Sequence, residues 1–283
     1  MDDGVPAAAR AAHAHVAARA RGGPVDSSWR VTLQLHPDRL AGDVPILRAM
    51  ALDRRYRSQF ETGTSNGGLT AHPGGDRWVW ESRLFGGAYD DAAPAARPVY
   101  GALDHRHRPG GASPRFGSSY LRLRAHTLSR TTFCYPDSHL DPADVGTADR
   151  MSLTALADAD GRDVLDDYVE AQVHGQVRIP QDVEALVLDP SFRGTDVEVD
   201  AAALGVPVEW HPGFTTTAQE VARHPEYRGS EAVEAAARLA VDGVLDPQVI
   251  GAAARAGLED PQRLKWVWHC TARFGHPLLR RPP

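Results

Sequence analysis

Lysine is almost missing from this chain: Lys265 alone stands among 31 Lys and Arg residues. With so much Ala, Gly and Pro beside it, the first explanation is GC-rich coding. A second is a toxin that enters eukaryotic cells and avoids lysines that would be ubiquitinated. Cysteine is scarce as well. Cys134 and Cys270 are far apart, with no CxxC and no partner ligands at zinc spacing, so neither a disulfide framework nor a structural zinc site is expected. The 13 histidines are scattered, none in an HExxH arrangement, and no metal is expected. No apolar run approaches the roughly 20 residues that cross a bilayer. The start, Met1-Asp2-Asp3-Gly4, is acidic and lacks a signal-peptide core. The expected setting is therefore soluble, in a bacterial cytoplasm or exported into a host cell by a route these rules do not read. Excess positive charge is absent too; a net charge of −6 argues against a general nucleic-acid binder. Nothing in the sequence sets the oligomeric state.

What is present is an ordinary globular composition, 42% apolar and 24% charged over 283 residues, enough for one large domain with an appendage. Pro6 to Arg21 reads as a helix ended by Gly22-Gly23-Pro24. Trp29 to Leu35 alternates as a strand, with Val31, Leu33 and Leu35 on one side and Thr32 and Gln34 on the other. Pro37 stops the ladder and leaves His36 at the strand's end. Residues 43–53 read as a helix. Tyr56 to Phe60 reads as a strand running into the turn Thr62-Gly63-Thr64-Ser65-Asn66. Such a turn offers backbone N–H groups and hydroxyls to phosphate or ribose oxygens, although most such turns are only turns. Residues 70–120 are dense in Gly, Pro, Trp and Arg, with short β pieces at Arg97–Leu103 and Pro114–Leu123. Further strands are expected at Arg130–Phe133, Val183–Leu188 and Val206–Trp210, with a helical segment near 152–167. From Thr217 the spacing is helical. The expected organisation is an N-terminal helical segment, 1–27, a core domain, 28–212, and a helical region, 213–283, packed on it. No repeat or low-complexity linker divides the chain.

The other pieces are arranged around Tyr168-Val169-Glu170-Ala171-Gln172-Val173-His174-Gly175. In a pleated strand Tyr168, Glu170, Gln172 and His174 share one face, and Val169, Ala171 and Val173 the other. A face carrying a carboxylate, an amide and an imidazole suits the lining of a cleft. The alternative is an edge strand with a solvated polar side.

A strand ending in His36, a helix, an aromatic-then-hydroxyl strand (Phe60-Glu61-Thr62-Gly63-Thr64) and a late strand with one Glu follow the order of the ADP-ribosyltransferase fold. Tyr56 to Gly67, Arg97 to Leu103, Pro114 to Ser118 and Tyr168 to Gly175 resemble a bacterial effector family more closely. Its members include enzymes that ADP-ribosylate ubiquitin on threonine, and the similarity runs from about His36 to His211. The resemblance implies an α+β fold: an ADP-ribosyltransferase-like split β-sheet core with flanking helices and a helical C-terminal unit. It implies NAD as co-substrate and a protein acceptor, ubiquitin. Glu170 then faces the oxocarbenium-like charge that grows as the ribose–nicotinamide bond breaks. His36 holds the ribose or nicotinamide, with Arg30 or Arg39 as alternatives for that role. Thr62 and Thr64, with Gly63 between them, brace the ribose and the Glu. Phe60, Tyr100 or Phe116 stacks on nicotinamide. Arg39, Arg57 and Arg115 compete for the pyrophosphate.

Arginine-modifying members of the wider fold carry a Glu two residues before the catalytic one. Here that position is Tyr168, and Gln172 follows on the same face. A hydroxyl acceptor is expected instead, with Glu170 or His174 taking its proton and Gln172 or Tyr168 orienting the target. Asp137-Ser138 reads as a helix N-cap of structural use only. Two other readings stand beside the transferase: an NAD glycohydrolase with water as acceptor, and a binding module that has lost turnover.

Overall fold

The computed structural model describes residues 5–63 and 69–276. The chain folds as α+β around an eight-stranded mixed sheet. Its strands are β1 (Val31–Leu35), β2 (Val99–Leu103), β3 (Ser119–Leu123), β4 (Thr131–Tyr135), β5 (Asp144–Thr147), β6 (Val169–Val173), β7 (Val183–Leu188) and β8 (Val208–Trp210). Their order across the sheet is β8-β7-β3-β1-β2-β6-β4-β5. Only the β7–β8 pair among them runs parallel. The Glu170 strand, β6, lies between β2 and β4, so the solvated-edge alternative is excluded.

The alternation read from the sequence sorts the two faces of this sheet. Val31, Leu33 and Leu35, Leu121 and Leu123, Val169, Ala171 and Val173, and Leu186 and Leu188 form the main core. Helices α2 (Ile46–Asp53), α5 (Leu153–Ala159) and α6 (Asp196–Ala202) add Leu47, Met50, Leu153, Ala157 and Ala201 to it, with Leu204 just past α6. The opposite face carries Thr32, Gln34, Tyr100, Thr132, Cys134, Glu170 and Gln172, as their shared cross-strand registers require. Helices α1 (Ala7–Ala17) and α4 (Asp76–Leu84) cover part of that face with Ala9, Ala12, Val16, Trp80 and Leu84, joined by Phe85 and Tyr89.

Two local expectations are corrected. Phe60-Glu61-Thr62 is not strand but a single helical turn, α3 (Gln59–Thr62). A capping box decides it: the Ser58 hydroxyl accepts from the Glu61 N–H, and the Glu61 carboxylate accepts from the Ser58 N–H. The β content ahead of it is only Arg55–Tyr56, paired with Val177–Arg178. The strand expected over Pro114–Leu123 is shorter, since Pro114–Phe116 forms a 3-10 turn and the strand begins at Ser119, and α4 lies in the stretch before Arg97 that was read only as rich in Gly, Pro, Trp and Arg.

The C-terminal helices, α7 (Ala218–Ala222), α8 (Pro225–Arg228), α9 (Ser230–Leu239), α10 (Pro247–Arg255) and α11 (Pro261–Gly275), build a separate apolar cluster. Ala235, Ala236, Ile250, Val267 and Cys270 are among its members, with Leu165 and Phe214 from the core. Trp268 ties this unit to the sheet: its indole N–H lies 3.0 Å from the Pro114 carbonyl and 3.2 Å from that of Arg115. No described helix is long and apolar enough to cross a membrane.

Candidate active site

Strand β1 pairs with β3 over four residues and β2 with β6 over five, yet β1 and β2 pair only at Val31–Leu103 and Thr32–Ala102. Beyond Thr32 the two strands part. A cavity of about 280 Å³ opens there, lined from β1 by Gln34, Leu35 and His36 and from β2 by Tyr100 and Gly101. Adjacent residues on each strand point to opposite faces, so a lining that contains such neighbours is what a gap between strands produces. Gly101 permits the close approach beside it: a Cβ there would lie 2.5 Å from the Thr32 carbonyl.

Glu170 stands at the inner wall of this cavity and is buried. Its Oε2 accepts from the Ser138 hydroxyl at 2.8 Å and the Ser138 N–H at 3.2 Å, and its Oε1 accepts from the Gln172 amide at 3.0 Å. The Arg77 guanidinium is 3.9 Å from Oε1 and donates to the Ser138 hydroxyl at 2.6 Å. Arg77 also lies 4.1 Å over the Tyr100 ring. Burial drives the Glu170 carboxyl above its usual range; the Arg77 charge opposes that rise and the Asp137 charge adds to it. The Tyr100 hydroxyl donates to Glu81, which is itself paired at 2.6 Å with buried Arg97.

Behind Glu170 runs a hydrogen-bond chain whose direction is fixed by its ends. Gln172 gives its N–H to Glu170, so its Oε1 must accept from the Thr132 hydroxyl at 3.0 Å. Thr132, having given its proton, accepts from His174 Nε2 at 3.0 Å. His174 therefore carries its proton on Nε2 and accepts the Tyr89 hydroxyl at Nδ1, 2.8 Å away. Burial, with the charges of His13 and Arg130, lowers the His174 pKa to about 3, so one ring proton is what it holds at neutral pH.

The structure brings some of the expected site residues together and separates others. His36, Arg39, Arg57, Thr62, Tyr100, Phe116 and Glu170 all line the cavity. The His36 imidazole packs edge-on to Trp268, with ring centroids 5.0 Å apart, and burial with the Arg39 charge lowers its pKa to about 3. Arg57 is paired with Asp53 at 2.6 Å. Thr64 lies outside the described residues, as do Ser65 and Asn66. Gly63 ends α3 in the left-handed conformation and is not part of the lining. Phe60 faces away, with the Arg97 guanidinium 4.2 Å over its ring. Arg115 is ion-paired with Asp166 outside the lining, and Arg30 is paired with Glu184 at 2.9 Å. Gln172 and His174 are wholly buried and do not reach the cavity. Neither touches a target from there: both sit behind the carboxylate, because α1 and α4 close that half of the sheet face. Tyr168 is likewise buried, its hydroxyl given to Asp137.

Three side chains that the sequence reading left out belong to the lining: Arg77, Asp137 and Ser138. Asp137 does cap a turn, accepting from the His139 N–H, as its sequence suggests. The same turn also delivers Ser138 to Glu170 and its own carboxylate to the cavity, where the Asp53 carboxylate, paired with Arg57, stands as well. The absence of an acid at Tyr168 and Gln172 therefore does not leave Glu170 as the cavity's one carboxylate: Asp137, from the turn after β4, and Asp53 line it too. Among the described residues, no group of three or more His, Cys, Asp or Glu is placed to hold a metal ion.

The cavity thus sets a buried carboxylate, held by neutral donors, at the parting of two strands of an α+β sheet. The chain belongs to the family described as protein of unknown function DUF3626, whose model matches residues 30–158 and 150–274. The match takes in the C-terminal helices as well as the sheet. No curated protein matches the chain.

Proposed function

We propose that this protein is a mono-ADP-ribosyltransferase. It would transfer ADP-ribose from NAD to a protein hydroxyl, a threonine of ubiquitin on the family resemblance, and release nicotinamide. The observation that carries this reading is Glu170. Its two oxygens are held by Ser138 and Gln172, with Arg77 alongside. They face a cavity that also presents an imidazole, His36, and an aromatic ring, Tyr100. A fixed carboxylate lowers the barrier when positive charge develops on a sugar ring, because it stabilises the transition state more than the neutral ground state. His36 would hold the ribose or the carboxamide. Tyr100, clamped by Glu81 and Arg77, would carry the flat nicotinamide ring. Arg39 at the mouth would meet the pyrophosphate.

Arg77 and Gln59 line the cavity, and their Nε and Oε1 atoms, closed to solvent, have no hydrogen-bond partner in the structure. A ligand's hydroxyls and amide would meet them once either side chain rotates toward the cavity.

The test is to incubate the protein with NAD, with and without ubiquitin, and follow released nicotinamide and the intact mass of ubiquitin. The expected result is ubiquitin heavier by one ADP-ribosyl unit, with nicotinamide released in step. Glu170→Gln should lower both by about 100-fold or more, while the far-ultraviolet circular dichroism is unchanged. Nicotinamide release with every offered protein left unmodified would make the protein a glycohydrolase. Full turnover by a folded Glu170→Gln variant would remove Glu170 from the mechanism.

A further inference from the structure

We infer that Asp137 takes the proton of the acceptor hydroxyl, leaving Glu170 to the sugar. The inference rests on the transferase reading and adds a second carboxylate with a separate role. Both acids line one cavity, yet their surroundings differ. Glu170 is buried, with three hydrogen bonds donated to its oxygens by Ser138 and Gln172. Ser138 fills both lone pairs of Oε2, and the Gln172 amide with the Cys134 thiol at 3.8 Å those of Oε1, so this carboxylate is fixed for electrostatic work and offers an incoming hydroxyl no free lone pair. Asp137 is half-buried and sits on the turn that leaves β4. One of its oxygens accepts the His139 N–H and the other the Tyr168 hydroxyl. Each carboxylate oxygen has two lone pairs, so each keeps one for an incoming donor.

The Tyr168 contact fits this assignment. Burial, followed by the nearby Asp137 and Glu170 charges, pushes the Tyr168 hydroxyl well above its usual pKa. It therefore stays protonated and orients Asp137 without competing as a base. Asp137 directly precedes Ser138, whose hydroxyl and N–H hold Glu170 Oε2, so the two acids are neighbours on one wall of the cavity. The step balances. The C1′–N bond to nicotinamide breaks with its electron pair going to the ring nitrogen, and nicotinamide leaves neutral. The acceptor oxygen forms the new C1′–O bond and gives its proton to Asp137, which passes it to water.

His139 is exposed, lines the same cavity and is the competing base. Asp137→Asn and His139→Gln separate the two. Asn is also a good cap residue, so the turn is retained, and thermal melting checks that it is. Two rates are read for each variant: nicotinamide release from NAD alone, and ADP-ribosylation of ubiquitin. The expected result for Asp137→Asn is transfer reduced by about 100-fold or more, the scale of general base catalysis, with release from NAD alone changed far less than transfer and its pH profile shifted down as the charge that raises Glu170 is lost. His139→Gln is expected to keep both rates. Wild-type protein that releases no nicotinamide overturns the transferase reading and this assignment with it. Wild-type protein that modifies ubiquitin overturns this assignment alone if Asp137→Asn transfers as well, if it loses both rates equally, or if the split appears in His139→Gln instead.

Discussion

Replacing His174 by Gln separates a structural role from a catalytic one, and the structure sets the size of the effect. Gln places an N–H where Nε2–H stands, so the donor to Thr132 survives. It offers no acceptor at the Nδ1 position, so the Tyr89 hydroxyl, in a fully buried residue, loses its partner. An unsatisfied buried hydroxyl costs about 1–3 kcal/mol, and that loss should appear at pH 7.5. A second effect depends on pH. His174 has a folded pKa of about 3 against 6.5 for an ordinary histidine. The unfolded chain therefore takes up a proton that the folded chain refuses, and stability falls as pH drops through the window from 6.5 toward 3. Between pH 7.5 and 5.0 this one residue should cost wild type about 2 kcal/mol, at 1.36 kcal/mol per pH unit below 6.5. Gln does not titrate, so the variant should be spared that loss. Urea unfolding of both proteins at both pH values gives the difference of differences. His36, His211, His269 and His276, whose pKa values are also lowered, and the buried carboxyls Glu81 and Glu170, whose values are raised, remain in both proteins and cancel. Equal pH dependence in wild type and His174→Gln would refute a neutral His174 with a depressed pKa.

Two further outcomes follow from the site and its frame. Arg77→Met removes the charge that opposes the upward pull on Glu170. Nicotinamide release should then reach half its plateau at a higher pH than in wild type, since activity follows the ionised carboxylate; an unmoved pH profile counts against the role of Arg77. Gly251, on α10, has no room for a side chain: an added Cβ would lie 1.6 Å from a carboxylate oxygen of Asp38, which is held by Arg255. Helix propensity favours alanine by about 1 kcal/mol and an overpacked site costs up to about 3 kcal/mol. Gly251→Ala should therefore lose about 2 kcal/mol in urea unfolding, and a stabilised variant would mean that the Asp38 contact yields freely.

How far the site could be read from the sequence depended on which side chains each element buries. The strands were legible because their apolar positions alternate: Val31, Leu33 and Leu35, or Val169, Ala171 and Val173, mark the core face without help. That pattern put Glu170 on a polar face and left His36 at a strand end, and both line the cavity. The same pattern gives a face but not what covers it. Gln172 and His174 share the Glu170 face, yet α1 and α4 seal their half, so a period of two could not tell cavity from interior. Helix α4 itself was hidden by its own burial. Its inward positions, Arg77, Trp80, Glu81 and Leu84, have helical spacing, but two of the four are charged, so no apolar stripe shows. Phe60 was misplaced for a different reason, since a four-residue helix has no periodicity to read and the Ser58–Glu61 capping box was its only signal. Arg115 had the right chemistry for a phosphate, but its partner Asp166 is distant in sequence.

The position of the cavity follows from a backbone feature rather than from any one catalytic residue. If β1 and β2 paired along their full length, the space beyond Thr32 would be closed by ladder hydrogen bonds, and Tyr100 would lie beneath a continuous sheet. Their pairing ends after Thr32–Ala102, while β3 holds β1 as far as Leu35 and β6 holds β2 as far as Val99. Each strand at the opening is thus anchored on its outer side and free on its inner side. Rigid walls result, and His36 and Tyr100 are presented from opposite edges, with Glu170 one strand behind Tyr100. The C-terminal helices stiffen one of those edges, because Trp268 packs against His36 and caps the carbonyls of Pro114 and Arg115. The turn after β4 completes the other side by bringing Ser138 to Glu170. A site assembled from five separate stretches holds its geometry only while all five are docked. That makes the helical region beyond residue 212 part of the cavity's frame rather than an appendage to it, in keeping with a family match that runs to residue 274.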